Sequence, residues 1–472
     1  MRPPGRRALS AEAEGRGEAA LEPLIHAIIA NRVALAKSSG YVESNANGFA
    51  LGDLMTRLHP HRAFWVIAAT FVMVLFSSAA PSPLYPVYQE LWGFSAFTLT
   101  AVFAIYVVTM LVSLLTVGSL SDHIGRRPVL AVALALLIAS MILFVVADDV
   151  GVLMAARALQ GLATGAAMGT LTATVVDLQP TPRLGSAITG AAPAIGLAGG
   201  VAVAGLLVEY APAPRFLIYE VILGLFAALL IALLVVPETS ERVGFTSRRH
   251  LVTTLAPQVR LPAAVRGAFF AAVPALVATW SLGGLYLSLG SSVVARVFGV
   301  DNHAEAGVLL FVFFASAAVT SLLITGREAS TKLAYGYPAL AGGAIISLAG
   351  VLTETLPLYI VGSIVAGSGF AATFLGALDS IIAATPTQQR GQVFSSVFVA
   401  SYLAFSLPAV VAGLAVSHIG LQETVVGYVA YVLTLAVVGA LVTAGVRRRS
   451  TRRNGSDTAA PAESDRTLSA RR

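Results

Sequence analysis

Long unbroken apolar runs recur along the whole chain, as in "FTLTAVFAIYVVTMLVSLL" at 97–115 and "YVAYVLTLAVVGALVTAGV" at 428–446. A run of 18 or more such residues, wound as a helix, crosses roughly 30 Å of hydrocarbon. Because lipid cannot hydrogen-bond a backbone, such segments must close their own hydrogen bonds as helices or join a closed barrel. A barrel is excluded here, since the runs lack apolar–polar alternation and are about twice the length of a barrel strand. Only 11% of the 472 residues are charged and 57% are hydrophobic, whereas a soluble domain carries roughly 25% charge. The chain is therefore an all-α membrane protein. Its first apolar run starts near Ala63, behind some sixty mixed residues, which does not resemble a cleavable signal peptide. Without cysteine it has no disulfide framework, thiolate metal site or cysteine nucleophile.

Twelve spans are expected, at about 63–81, 98–119, 128–147, 151–176, 184–207 and 215–236, then 267–290, 305–325, 334–352, 357–382, 391–416 and 422–446. They define a bundle of six at 61–236, a linker at 237–266 and a second bundle at 267–446. Residues 1–60 read as a mostly disordered extension, within which Met55 opens a lead-in to the first span, and 447–472 as a basic disordered tail on anionic lipid.

The net charge of +6 is scattered through connectors and tails, which fits membrane topology and not nucleic-acid binding. With the N-terminus inside, the inner connectors gather Arg126, Arg127, Arg183, Arg248, Arg249, Arg327 and Arg390 among others, while the outer ones hold only Arg215 and Arg296. Both termini are expected in the cytoplasm. The Arg-, Ala-, Gly- and Val-rich composition suggests a GC-rich bacterial genome, hence an inner membrane.

An internal repeat supports two related bundles. "LYPVYQELWGFS" at 84–95 aligns with "LYLSLGSSVVARVFGVD" at 285–301, pairing Gly93 with Gly299. "PTPRLGS" precedes the fifth span as "PTQQRGQ" precedes the eleventh, and "AGLLVEY" at 204–210 matches "AGLAVSH" at 412–418. Duplicated halves are a transporter habit, with the binding site at the midplane between them.

One connector is chemically dense: "GSLSDHIGRRPVL" at 118–130, between the second and third spans. Gly118 permits close helix approach, Gly125 suits a turn with positive φ, and Pro128 fits a first helical turn. Asp122 is placed to accept N–H bonds from a helix N-terminus. This stretch resembles the signature loop of the major facilitator superfamily, roughly G-x-L-x-D-r-x-G-r-r-x-x-l. Gly118, Leu120, Asp122, Gly125, Arg126 and Arg127 match, with His123 where Arg or Lys is usual. The resemblance covers about 63–446. Within it, "RALQGLATGA" resembles the superfamily's R-x-x-Q-G pattern through Arg157, Gln160 and Gly161, and "PET" at 237–239 the element closing the sixth span. "GAAPAIGLAGG" at 190–200 is similar to the antiporter motif but has Ile195-Gly196 where that motif wants Gly-Pro. The second-half counterpart "TGREASTKLAYG" keeps Gly326 and Arg327 but has Ser330 in the acid's place.

The resemblance implies a gate in which Asp122 docks on the start of the eleventh helix, near Gly391, and Arg126 pairs with Asp177. It also implies a central cavity lined partly by the fourth span. An ionisable group inside a membrane costs at least ~2.5–3.5 kcal/mol on insertion scales, so such residues are site candidates. They are Arg157 for substrate or coupling, Glu220 as its partner or as a proton carrier, Asp177 as a structural partner of the loop, and Asp379 as an interface cap or a cavity acid. Gln160, Tyr85, Tyr106, Trp280 and Tyr286 are candidates for contacting substrate. Pro81, Pro83, Pro86, Pro274 and Pro408 mark bends.

The expected function is secondary active transport of a small lipophilic or amphipathic solute by a monomer in the bilayer. Export driven by a proton gradient is the leading mode and proton-symport uptake the alternative. A non-transporting receptor is a distant third. No cofactor, metal or catalytic residue is expected. The chain has no H-E-x-x-H and no G-x-x-x-x-G-K-[ST], the motifs of a zinc peptidase and of an ATP-driven pump.

Overall fold

The structure is a computed structural model and describes residues 58–117, 120–240, 261–386 and 390–457. The expected terminal extension up to residue 57, Gly118, most of the linker and the tail beyond 457 lie outside the described residues. The first half comprises α1 (Pro60–Ala79), a 3-10 turn (Ser82–Leu84), α2 (Tyr85–Trp92) and α3 (Ala96–Val117). It continues through α4 (Ser121–Ile124), α5 (Arg126–Val145), α6 (Val150–Leu178), α7 (Pro182–Tyr210) and α8 (Leu217–Leu233). The second half comprises α9 (Ala263–Ser288), α10 (Gly290–Phe298), α11 (His303–Leu323), α12 (Ala329–Leu352), α13 (Leu356–Ala383), α14 (Arg390–Ile419) and α15 (Leu421–Asp457).

Eleven helices among the described residues are long and apolar enough to cross a membrane. Of the twelve spans expected, the sixth is shorter: α8 has 17 residues. It follows Pro212 and Pro214, with Ala213 at φ 57 between them, and Pro237 comes soon after its end. The chain is thus a multi-pass membrane protein. Pro81 and Pro83 break the end of the first span as expected: the α-helix stops at Ala79 and a 3-10 turn leads on into α2. One further boundary differs from expectation. The basic stretch from Arg447 is not irregular, because α15 carries it as helix to Asp457.

The repeat is visible in backbone geometry. Gly93 and Gly299 both end a short helix in the left-handed conformation, at φ 65 and 62, where a Cβ would be strained. The helices pack through small residues, since apolar side chains gain little by leaving lipid for protein. The α12–α13 pair shows this best. A Cβ on Gly343 would fall on the backbone of Ala366, one on Gly369 on Leu340, and one on Gly362 on Ser347.

The two halves meet along two lines, α7 against α11 and α3 against α14. The end of the molecule bearing the 120–130 connector is here the motif end, and the opposite one the far end. At the far end, Ser82 Oγ donates to the Leu287 carbonyl at 3.0 Å and Ser291 Oγ to the Ser82 carbonyl at 3.0 Å. Gly205 rests against Gly307, and Gly413 against Thr100. The far end is closed.

Candidate functional site

At the motif end, Gly125 turns the chain at φ 100 and ψ 156, a conformation an L side chain rarely adopts. The turn leaves the first N–H groups of α5 without intrahelical partners. Asp122 does not cap them. Glu238 of the "PET" element does: its carboxylate accepts the Arg126 N–H at 2.7 Å and the Arg127 N–H at 3.2 Å. Asp122 instead meets the Arg126 guanidinium at 2.8 Å, and Arg126 reaches Asp177 at 3.2 Å as the resemblance implied. Thr239 donates to the same Asp177 oxygen at 3.0 Å, and Arg127 donates to the Leu234 carbonyl at 2.6 Å. The connector is thereby tied to the ends of α6 and α8. Docking of Asp122 near Gly391 falls on side chains outside the described residues.

Deep in the first half, Arg157 and Gln160 lie one turn apart on α6 and are both buried. Pro81 has no N–H to give the Ser77 carbonyl, and α1 ends at Ala79, so Ser77 and Ser78 keep free carbonyls in a dry interior. Gln160 Nε2 donates to the Ser77 carbonyl at 2.8 Å and Arg157 to the Ser78 carbonyl at 3.0 Å. Arg157 also donates to Gln160 Oε1 at 2.6 Å and lies 4.5 Å from the Tyr106 ring centroid. Tyr106 donates to Ser78 Oγ at 2.9 Å. The pair thus repairs the proline break in α1. Tyr85 packs on the same guanidinium at 5.9 Å, its hydroxyl buried without a hydrogen-bond partner among the described residues. Glu220, a candidate partner for Arg157, is exposed on the first turn of α8, and the bonds of Arg157 go elsewhere.

In the second half, Lys332 on α12 holds Asp379 at 2.6 Å, and the Asp379 side chain stays 39% exposed. In the sequence this lysine, one of two in the chain, counts only as an inner-connector cation, and its pairing with Asp379 is not legible. Asp379 follows Asp177 by 202 positions, so the acids correspond in the repeat, whereas Lys332 lies two positions beyond Ser330 and is not the loop alignment's counterpart of Arg126. The Lys332 side chain is 8% exposed, against 15% for Arg126.

Tyr286 lies inside the second half, bonded to Ser363 at 2.8 Å and Ser347 at 3.2 Å and stacked on Phe313. Trp280 sits within an aromatic ring formed by Phe370, Phe374, Tyr402 and Phe405, with centroids 5.3–6.2 Å away. Phe405 in turn touches Phe103 of the first half at 5.0 Å. The indole N–H of Trp280 is buried without a hydrogen-bond partner among the described residues. The structure thus separates the candidates. Arg157, Gln160, Tyr85 and Tyr106 form one cluster, Trp280 anchors another that reaches Tyr286 through Phe370 and Phe313, and Asp379 and Glu220 lie apart from both.

Helices packed as two related halves, with a charged connector tied to the ends of two others, define a duplicated helical membrane protein. The Major Facilitator Superfamily model matches residues 66–407, and the chain belongs to that family. It is similar to the putative multidrug resistance protein MdtD of Salmonella typhi, at 25% identity over 58% of each chain. It is also similar to the uncharacterized MFS-type transporter EfpA of Mycobacterium tuberculosis, at 28% identity over 54% of this chain and 44% of the relative. The transporter paaT of Penicillium rubens is 30% identical over 37% of this chain and 32% of its own length. The chain therefore spans between about a third and three fifths of the curated relatives it matches. The human organic anion transporter MFSD10 shares the fold, with a TM-score of 0.59 and 19% identity over 81% of this chain and all of that one.

Proposed function

We propose that the protein exports a lipophilic or amphipathic organic solute by alternating access, driven by inward proton flow, with the motif end and both termini in the cytoplasm of a bacterium. The observation that carries this reading is the aromatic ring around Trp280 at the junction of the halves. Rings of this kind supply contact area and quadrupoles but few hydrogen bonds. They suit an apolar solute and serve a sugar, which needs many polar partners, poorly. Arg157 and Gln160, occupied with the α1 carbonyls, position the first half and leave solute contact to Trp280, Tyr402 and Phe405. The likeness to a putative multidrug resistance protein supports the same direction. The Lys/Arg asymmetry supports the orientation.

The test is a susceptibility panel in an exporter-deficient bacterial host. The wild type is expected to protect against some apolar aromatic compounds. Trp280→Ala, at equal membrane levels, is expected to lose that protection by about tenfold, the scale of one large aromatic contact. Wild-type cells that instead accumulate a nutrient would establish uptake.

A further inference from the structure

Among the described residues, closure of the far end has an electrostatic component on one of its two lines only. His303 is the first residue of α11, and its N–H has no partner within the helix. Glu209, on the last turn of α7 in the other half, accepts that N–H at 2.9 Å. The same carboxylate oxygen lies 3.1 Å from His303 Nδ1. Asn302 accepts the Glu305 N–H at 3.0 Å, so the donors of this helix start are shared between its own half and the opposite one. Asn302 also donates to the Tyr210 hydroxyl at 3.5 Å. One turn deeper the backbones touch: a Cβ on Gly205 would lie 2.5 Å from the His303 carbonyl oxygen, and one on Gly307 would lie 2.7 Å from that of Val201.

The repeat supplies an internal comparison. Thr100 and Gly413, offset by 207 and 208 from Gly307 and Gly205, make the equivalent approach between α3 and α14. There, however, Ser417 stands in the place of Glu209 and Ala96 in that of His303. Ser417 spends its hydroxyl inside its own helix, on the Gly413 carbonyl at 3.4 Å. One line is joined by charge and the other by shape alone.

From this asymmetry we infer that Glu209 is a positioning residue of the transport cycle: it holds the far end shut by capping α11 across the two halves, and it must let go for that end to open. The inference rests on alternating access and is independent of the identity and direction of the solute. A carboxylate on a helix N-terminus stabilises through both the hydrogen bond and the dipole. Losing it therefore shifts the equilibrium toward the far-open state without touching the solute's contacts.

The native chain has no cysteine, so single-cysteine reporters can be placed in the full-length protein. Ser82→Cys reports the far-end closure, where residue 82 is 1% exposed. Ser140→Cys reports the folded interior of the first half, where Ser140 bonds only the Ala156 carbonyl. Each is combined with Glu209→Ala and Glu209→Gln and labelled with a membrane-impermeant maleimide in right-side-out and inverted vesicles. Glu209→Ala is expected to speed labelling at residue 82 by about tenfold from one vesicle orientation, and Glu209→Gln by less, since an amide oxygen can still accept the N–H. Residue 140 should remain unlabelled. Unchanged labelling at 82, or labelling at 140 in parallel, would overturn the assignment. Because no solute enters the assay, a failed susceptibility panel leaves this result standing.

Discussion

At the scale of single residues, the R-x-x-Q-G pattern marked Arg157 and Gln160 in the sequence, but not what they hold. Their partners are main-chain carbonyls on α1, which carry no sequence signature beyond the prolines that freed them. The two prolines and the two donors lie some eighty positions apart, and only the fold joins them. Gln160→Met keeps the volume and removes the donor to Ser77. Leaving that carbonyl unpaired costs roughly 1–3 kcal/mol, and membrane hydrogen bonds measure toward the lower end of that range. The purified variant should therefore unfold several degrees below the wild type in a thermal scan in detergent. An unchanged midpoint would mean that the Ser77 carbonyl finds another donor. Arg157→Lys tests the geometry: a single ammonium is expected to keep the bond to Ser78 and lose the one to Gln160. Its midpoint should fall between those of the wild type and Arg157→Met. Glu209 enters the reading as part of the repeated "AGLLVEY", and its contact with His303 does not, because one-letter sequence does not say which helix ends meet.

At the scale of elements, apolar run length placed the helices, since each must span the same hydrocarbon thickness. Boundaries set by local backbone chemistry were harder to read. The 3-10 turn at Ser82–Leu84 depends on which carbonyls find substitutes for the missing proline N–H groups. The helical run of α15 to Asp457 continues past the last apolar residue, where run length says nothing. Helix pairing was not legible either, although the glycines that permit it were in plain view. Gly342 and Gly343 make a direct test, being neighbours in sequence on α12. A Cβ on Gly343 meets the Ala366 backbone, whereas one on Gly342 meets nothing within 4 Å. Gly343→Val should cost a large share of the folded, monodisperse protein seen by size-exclusion chromatography, through overpacking of roughly 1–3 kcal/mol or more. Gly342→Val should elute as the wild type does. Equal behaviour of the two would show that α12 and α13 do not pack along this face.

For the whole molecule, the repeat was legible because backbone necessities such as Gly93 and Gly299 are kept at a fixed offset, but duplication does not preserve chemistry. The motif-end pair of the first half became a network in which Arg126 meets two acids, with Glu238 beside it. In the second half the corresponding acid, Asp379, makes a single contact, with Lys332, whose side chain is nearly shut off from solvent. The two pairs should respond differently to loss of one partner. Asp122→Asn leaves Arg126 with Asp177, so stability should move by less than about 1 kcal/mol, as at exposed pairs. Asp379→Asn leaves the Lys332 ammonium without its anion; the lysine is 8% and the acid 39% exposed, so the loss should lie between the exposed and buried limits, about 1–3 kcal/mol. Removing both charges, in Lys332→Met with Asp379→Leu, should recover most of that loss, since an apolar pair of similar volume has no desolvation to repay. Thermal midpoints of the two single variants and the double one read this directly. The same double variant separates structure from energy coupling. If Asp379 carries the transported proton, the repaired protein will fold with a near-native midpoint yet no longer shift lumenal pH when solute is added to vesicles, while Glu220→Gln, at the exposed start of α8, will shift it normally. A double variant that still moves protons would assign coupling to another acid and leave Lys332–Asp379 as a structural pair.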